Sequence, residues 1–333
     1  MSNTSFKIKS FATPSVFNPN EINKSNYTTL NGTQTGGGGA TGPQGEVGPT
    51  GSPGATGLQG PTGEGTTLPN GVAYSDYLYW NTTTNTWDVG SEQVHLGYNS
   101  GQNNQGTGAV SIGNNSGQNN QGTEAESIGY NSGQNNQGTG AVSIGLFSGN
   151  IEQGVNSVSI GFLTAAENQG SNSVAIGPSA GQIDQEPDSV AVGNSSGRSS
   201  QGTGSIAIGF STAQTNQGSN SIAIGYDSAN NNQGSNSIAI GVQAAQNNQQ
   251  PGSIAIGFNA GLEGQGTGAV AIGNSAGKIT QPENSIVISA TGTGELTPNA
   301  PNTFFVKPIR EASGPATLQY NPATGEITWV ANP

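Results

Sequence analysis

The sequence predicts an all-β fold, a parallel β-solenoid built from 16-residue coils. An apolar residue returns thirteen times at that spacing without an insertion, from Leu96 to Ile288. Gly follows it every time except after Ile288, and a second apolar residue stands two positions earlier, as in Ile222-Ala223-Ile224. So strict a period indicates that every unit stacks on the one before it.

Composition also favours a stack of coils over one globular core. Of the 333 residues, 8% are charged, 6% are aromatic, 55 are Gly and none is Cys. Most of the apolar content is Ala, Val and Ile, and each coil of a solenoid buries a few such residues against its neighbours. Without Cys, disulfide bonds cannot supply the stability.

Charge and hydropathy exclude several classes of partner. The net charge is −12 with seven basic residues, so no nucleic-acid partner is expected. No apolar stretch is long enough for a membrane-spanning helix, so no membrane insertion is expected. The start of the chain, from Met1 to Thr13, contains lysines but no apolar core of a secretory signal.

The recurring aliphatic residues are predicted to be the core anchors of the solenoid. Side chains two residues apart share one face of a strand, so Ile222 and Ile224 are expected to point inward. The Ser or Ala between them is then expected to point elsewhere. The anchors include Ile112, Ile144, Ile176, Ile208, Ile224, Ile240, Ile256 and Ile272. Glu126 stands where other coils have Val or Ile, which indicates a locally open coil or a place near an axis with partners.

Glutamine follows each of the first twelve anchors by nine positions. These residues are Gln105, Gln121, Gln137, Gln153, Gln169, Gln185, Gln201, Gln217, Gln233, Gln249, Gln265 and Gln281. Their amides can bond from coil to coil as a structural ladder, or satisfy the backbone of the turn. Gene duplication without drift is the alternative, but the preceding position does drift, as at Glu152 and Asp184.

Residues 39–63 form a collagen-like run with Gly at every third position. The glycines between its ends are Gly42, Gly45, Gly48, Gly51, Gly54, Gly57 and Gly60. Only a hydrogen side chain fits at the axis of three wound chains, so the run predicts a short triple helix. A flexible Gly-rich linker has no reason to keep strict triplets. Because the run is short, it is expected to depend on a trimer clamp beside it.

Four further segments complete the organisation of the chain. Residues 1–35 are polar and predict a flexible attachment arm that orders on a partner, or else a disordered tail. Residues 66–93 predict a small β-hairpin junction with aromatic strands, and 94–289 are the solenoid. Residues 290–333 alternate short apolar runs with turns and predict a C-terminal β cap over the end of the stack.

Several segments resemble known families. Ser205-Ile206-Ala207-Ile208-Gly209 and its copies at 173–177 and 221–225 resemble the head repeats of YadA-type trimeric autotransporter adhesins, although those heads use a shorter period. That resemblance implies a left-handed parallel β-roll and a homotrimer. Residues 304–310 and 320–329 look like segments of large-virus and phage fibre proteins. The Thr-rich triplets also resemble those of viral fibrils and of bacterial spore-coat filaments.

Nothing in the sequence predicts an enzyme. His95 is the single histidine, so no Ser-His-Asp triad and no multi-His metal site is expected within one chain. Three copies of His95 could meet on a trimer axis and bind an ion; the alternative is a simple exposed side chain. No catalytic residue, cofactor or metal is expected, and no long loops form a cleft.

The predicted function is that of a structural component of a homotrimeric fibre on a virion or similar particle surface. Its partners would be its own copies and, through the arm, a particle surface or capsid protein. An adhesin that recognises host glycan or protein is the alternative, and a bacterial spore-surface filament protein is a second. Residues just past the repeat glycine would carry adhesion or else pack at the trimer seam: Tyr130, Leu146, Phe162, Phe210, Tyr226 and Phe258.

Overall fold

A computed structural model describes residues 68–90, 92–291, 296–309 and 316–331. The predicted attachment arm, 1–35, and the collagen-like run with its glycines, 39–63, lie outside the described residues. Over the described ranges the chain consists of strands and turns, and it has no helix with the length and apolar character that a membrane crossing requires.

Residues 94–291 and 296–307 form a parallel β-solenoid with two sheets. The first sheet has 14 strands. They are β3 (Val94–Leu96), β5 (Val110–Ile112), β7 (Glu126–Ile128), β9 (Val142–Ile144), β11 (Val158–Ile160), β13 (Val174–Ile176), β15 (Val190–Val192), β17 (Ile206–Ile208), β19 (Ile222–Ile224), β21 (Ile238–Ile240), β23 (Ile254–Ile256), β24 (Val270–Gly273), β25 (Ile286–Ser289) and β26 (Phe304–Lys307). The second sheet has 10 strands, each ending at a repeat glutamine. They are β4 (Asn103–Gln105), β6 (Asn119–Gln121), β8 (Asn135–Gln137), β10 (Ile151–Gln153), β12 (Glu167–Gln169), β14 (Ile183–Gln185), β16 (Ser199–Gln201), β18 (Thr215–Gln217), β20 (Asn231–Gln233) and β22 (Asn247–Gln249).

Each coil pairs in register with the coils before and after it, so the sequence period is the coil length. Ile222 is paired with Ile238, its equivalent in the next coil, and Gln233 is paired with Gln249. The small pair after each anchor, such as Ser228 and Ala229, is buried in the turn, and the second strand begins two residues later. The 16-residue coil is therefore strand, turn, strand, turn.

The repeat glycine is required by the tight turn after the first strand. Gly225 has φ 132°, a backbone conformation that L residues avoid. A Cβ added there would lie 2.3 Å from the carbonyl oxygen of Gly241 in the next coil. The glycines therefore stack in a column in which neighbouring backbones approach too closely for any side chain.

The core is the reverse of the predicted one. In the first sheet the middle residue of the strand faces inward: Ala223 and its equivalents from Ser111 to Ala271 have no exposed surface. The predicted anchors flank it and point outward. The interior already holds the buried glutamine side chain that nearly every strand of the second sheet contributes, so the first sheet adds only a small side chain there and its larger Ile and Val side chains take the outer face. Ile112, Ile144, Ile176, Ile208, Ile224, Ile240, Ile256 and Ile272 are all partly or well exposed in the single chain.

Two antiparallel hairpins flank the solenoid. The first, β1 (Tyr77–Asn81) and β2 (Thr86–Gly90), lies within the predicted junction. The second, β27 (Ala316–Asn321) and β28 (Glu326–Ala331), lies within the predicted cap segment. The end of the core is nevertheless covered by other residues of that segment, because Leu296 and Phe305 pack on the last buried cluster.

Candidate functional site: the aliphatic face and the glutamine column

The outer surface of the 14-stranded sheet is a continuous apolar surface, here called the aliphatic face. It consists of the first and third residues of the odd-numbered strands from β3 to β23, and of the equivalent residues in β24, β25 and β26. Representative exposures are 37% for Ile128, 38% for Ile208 and 40% for Ile286. Partly exposed aliphatic side chains in two rows along the stack, interrupted at one position, form a large apolar surface of the kind that is typical of interaction sites.

Glu126 is the one exception on the aliphatic face. Two outward positions on each of 14 strands carry Val, Ile, Leu or Phe everywhere else. The prediction of a locally open coil is wrong, because β7 pairs normally with β5 and β9 through Val110 and Val142. Glu126 is exposed, so the single chain does not bury its carboxylate.

A row of aromatic and aliphatic residues lies beside this face, just past the repeat glycine. Phe210 and Tyr226 stack with ring centroids 5.5 Å apart and an interplanar angle of 7°. Tyr130 and Phe147 meet edge to face at 5.6 Å. The predicted members Tyr130, Leu146, Phe162, Phe210, Tyr226 and Phe258 are exposed in the single chain. They could meet a ligand or a neighbouring chain.

The repeat glutamines form a column inside the solenoid, here called the glutamine column. Gln185 is 1% exposed, and its amide nitrogen donates to the carbonyl of Val174 at 3.1 Å and to Oε1 of Gln201 at 3.0 Å. Its own Oε1 accepts from Gln169 at 3.0 Å. Such an amide joins the two sheets within a coil and also joins successive coils.

Coil-to-coil bonds of this kind run from Gln137 to Gln201 and from Gln217 to Gln281. At the start of the second run the Oε1 of Gln217 is buried and has no hydrogen-bond partner in the described structure. In earlier coils a serine at the middle strand position donates to the column, as Ser143 does to Gln153 at 2.6 Å. The column is thus the polar part of an otherwise small-residue core.

His95 belongs to the end of the core and is not a simple exposed side chain. It occupies the middle, inward position of β3, is half-buried, and stacks on Tyr79 with centroids 5.2 Å apart. Burial lowers the pKa of His95 below its ordinary value. The hydroxyl of Tyr77 donates to the carbonyl of Gln93 and accepts from the amide of His95, both at 2.7 Å. The first hairpin therefore closes the open end of the stack.

The described residues include no group of three or more His, Asp and Glu side chains placed to hold a metal. Sequence reasoning missed the inward role of the middle strand residue. The available signal was its type, since it is Ser or Ala from Ser111 to Ala271, and only a buried position in a narrow interior demands so small a side chain throughout.

Comparison with known families gives one match. The YadA head domain repeat matches in two copies, at residues 153–180 and 200–228. No curated protein and no solved structure matches the chain. The chain thus carries YadA head repeats within a β-solenoid of 16-residue coils. Such heads are typical of surface-exposed adhesins, which indicates a protein of the adhesin or fibre type.

Proposed function

We propose that this chain, with its YadA head repeats, is the structural component of a homotrimeric surface fibre on a virion or similar particle. The observation that carries the proposal is the aliphatic face. A soluble single chain rarely exposes an apolar patch of more than a few hundred Å², and this face extends over 14 strands.

Other copies of the same chain fit this face best. It carries one acidic residue, Glu126, in a molecule of net charge −12, so identical chains that meet there bring few like charges together. Three copies are favoured over two because the triplets of 39–63 require three chains and because YadA-type heads are trimeric. The arm, 1–35, would attach the fibre and the triplets would space the roll outward.

The mass of the full chain in solution tests this proposal. We expect light scattering to give three chains for the natural protein and one chain for the double variant Ile224→Asp/Ile240→Asp. If this variant still formed the trimer, two new carboxylates from each of three chains would be buried, at a cost of several kcal/mol each.

The matched control is Asn232→Asp/Asn248→Asp, which adds the same charge on exposed side chains of the second sheet. A natural protein of one chain at every concentration would contradict the trimer. A control that dissociates as readily as the aliphatic-face variant would contradict the choice of face.

A second candidate function is adhesion to host glycan, favoured by the exposed aromatic row. Stacked rings such as Phe210 and Tyr226 present flat apolar surfaces of the kind that bind sugars or other rings. A glycan array probed with the natural protein and with Phe210→Ser/Tyr226→Ser tests this. Binding lost in the variant supports adhesion, and no binding at high concentration contradicts the glycan form of it.

A further inference from the structure

The two hairpins that flank the solenoid share one construction. In each, an asparagine ends the first strand and its Oδ1 accepts from the backbone amide two residues on, Asn81 from Thr83 and Asn321 from Ala323, both at 2.9 Å. Four residues follow, the last in the left-handed region: Asn85 with φ 53° and Gly325 with φ 73°. The same hairpin therefore occurs before and after the roll.

Each hairpin also carries an exposed apolar face of the same pattern. In the first, Leu78 is paired with Val89 and Trp80 with Trp87, so these four side chains share a face. Trp80 and Trp87 are 48% and 44% exposed and meet edge to face at 5.6 Å.

In the second hairpin Leu318 is paired with Trp329 and Tyr320 with Ile327. Leu318 is 67% exposed, Tyr320 65% and Ile327 52%. Neither four-residue set contains a charged residue.

The apolar face of the first hairpin is held at a defined place. The opposite face of that hairpin docks on the first coil through Tyr77 and through the stack of Tyr79 on His95. Its only acidic ladder residue, Asp88, is paired with Tyr79 and so lies on that docked side. The face with Trp80 and Trp87 therefore points away from the coil of its own chain.

We propose that these two apolar faces are trimer clamps, each packing against the same hairpin of the two neighbouring copies. The proposal rests on the homotrimer proposed above. An uncharged face suits contact with identical copies, because a charge on it would be brought close to the same charge on the neighbouring copies and would be repelled. The first hairpin also begins at Tyr77, a short way after the last triplet glycine, Gly63. The triple helix predicted for 39–63 would need its three chains held together near that point.

The tryptophans test the clamps, because the chain has 3 Trp and all of them lie in the hairpins. In the full chain W329F leaves the pair on the first hairpin, and W80F/W87F leaves the single Trp of the second. Acrylamide quenching of each variant is compared with that of free N-acetyltryptophanamide, alongside the mass from light scattering.

If the hairpins are clamped, acrylamide would quench their tryptophan fluorescence at most about a tenth as efficiently as that of the free compound, because the core of a protein interface excludes solvent. Unclamped tryptophans, at 48% and 44% exposure, would be quenched about half as efficiently. A trimer with such accessible tryptophans overturns the clamps and leaves the trimer standing. A chain that is monomeric at every concentration overturns both.

A pair of variants tests whether the clamps contribute to assembly. We expect Trp80→Ser/Trp87→Ser to raise the concentration at which the trimer dissociates by at least about tenfold, as for the loss of interface aromatics. Thr83→Ala, in the exposed turn of the same hairpin, should leave it unchanged. Assemblies of several trimers that vanish in the Trp variant would show that this face joins fibres end to end, which overturns the clamp.

Discussion

At the scale of single residues, the roll depends on three columns with different demands. The middle strand position accepts only small side chains because the interior is narrow. The repeat glycine accepts no side chain because the next backbone lies 2.3 Å from where a Cβ would be. The glutamine column supplies hydrogen bonds that the small apolar residues cannot make. Each column repeats because every coil meets the same neighbours.

Replacing one amide of the glutamine column should destabilise the roll. In Gln185→Leu the carbonyl of Val174, the amide of Gln169 and the Oε1 of Gln201 each lose a partner. We expect the free energy of unfolding to fall by about 2–4 kcal/mol. Urea denaturation measures it, with Gln102→Leu as the control because Gln102 bonds to Gln118 on the exposed surface. Equal effects of the two variants would contradict a buried structural role.

Alanine at the repeat glycine should be more harmful than alanine at another glycine with positive φ. Gly225→Ala places a Cβ against the backbone of Gly241, whereas a Cβ at Gly252, with φ 69°, meets nothing within 4 Å. We expect Gly252→Ala to cost about 1–2 kcal/mol and Gly225→Ala clearly more, since backbone has to move. Thermal unfolding of both variants checks this, and a similar loss in each would refute the close approach.

At the scale of elements, the ends of the stack differ from its middle. The inward strand position holds Ser or Ala from Ser111 to Ala271, but the terminal strands place His95 and Phe305 there. The larger rings cover the last small residues, His95 under Tyr79 and Phe305 beside Leu296. Capping of this kind protects the terminal sheet edges of a solenoid from further association.

The packing of the first hairpin, β1 and β2, on His95 should loosen in mild acid. Burial lowers the pKa of His95 below its ordinary value of 6.5, so the unfolded chain takes up a proton that the folded cap does not. The stability of this docked hairpin should fall as pH drops below about 6.5 and level off below the lowered pKa. In the W329F variant, the fluorescence of Trp80 and Trp87 measured against pH reports this loss.

The control is W329F/His95→Ser, which places at this position the serine that Ser111 and Ser127 provide in the next coils. We expect its fluorescence to be flat across the same pH range. An identical acid transition in the two proteins would assign the effect to another group.

At the scale of the whole molecule, the aliphatic face is the feature on which the proposed homotrimer rests. Its Ile and Val residues add little to the core of a single chain, and the proposed trimer would cover them along the whole stack. Glu126 interrupts that surface in one coil only. The trimer is therefore expected to be weakest at that level.

Removing this carboxylate should strengthen the assembly. In Glu126→Val the row becomes continuous between Val110 and Val142. Three like charges would no longer be brought together in an apolar contact, and we expect the trimer to melt a few °C higher. Differential scanning calorimetry of the full chain measures the shift. The control Glu124→Asn removes a carboxylate from the exposed turn two residues away, where φ is 55° and Asn is tolerated, and should leave the melting temperature nearly unchanged.

Much of this protein follows from the sequence alone. The 16-residue period determined the solenoid, its in-register pairing and its length, because identical units can bury their surface only by stacking. The spacing of Gln105 to Gln281 marked the column, and Tyr77, Tyr79 and Trp87 marked the first hairpin. These features are periodic or local, and such patterns are readable from residue order.

Only the tertiary structure decided which side of each strand faces the core. Alternation says that Ile222 and Ile224 share a face, but it does not say which face is inside. Packing between the two sheets decides that: beside the buried glutamines the interior holds Ala223, and the isoleucines lie on the outer face. The same choice turned the predicted core anchors, and Glu126 with them, into an outer surface, because the first sheet buries its small residues and presents its large ones.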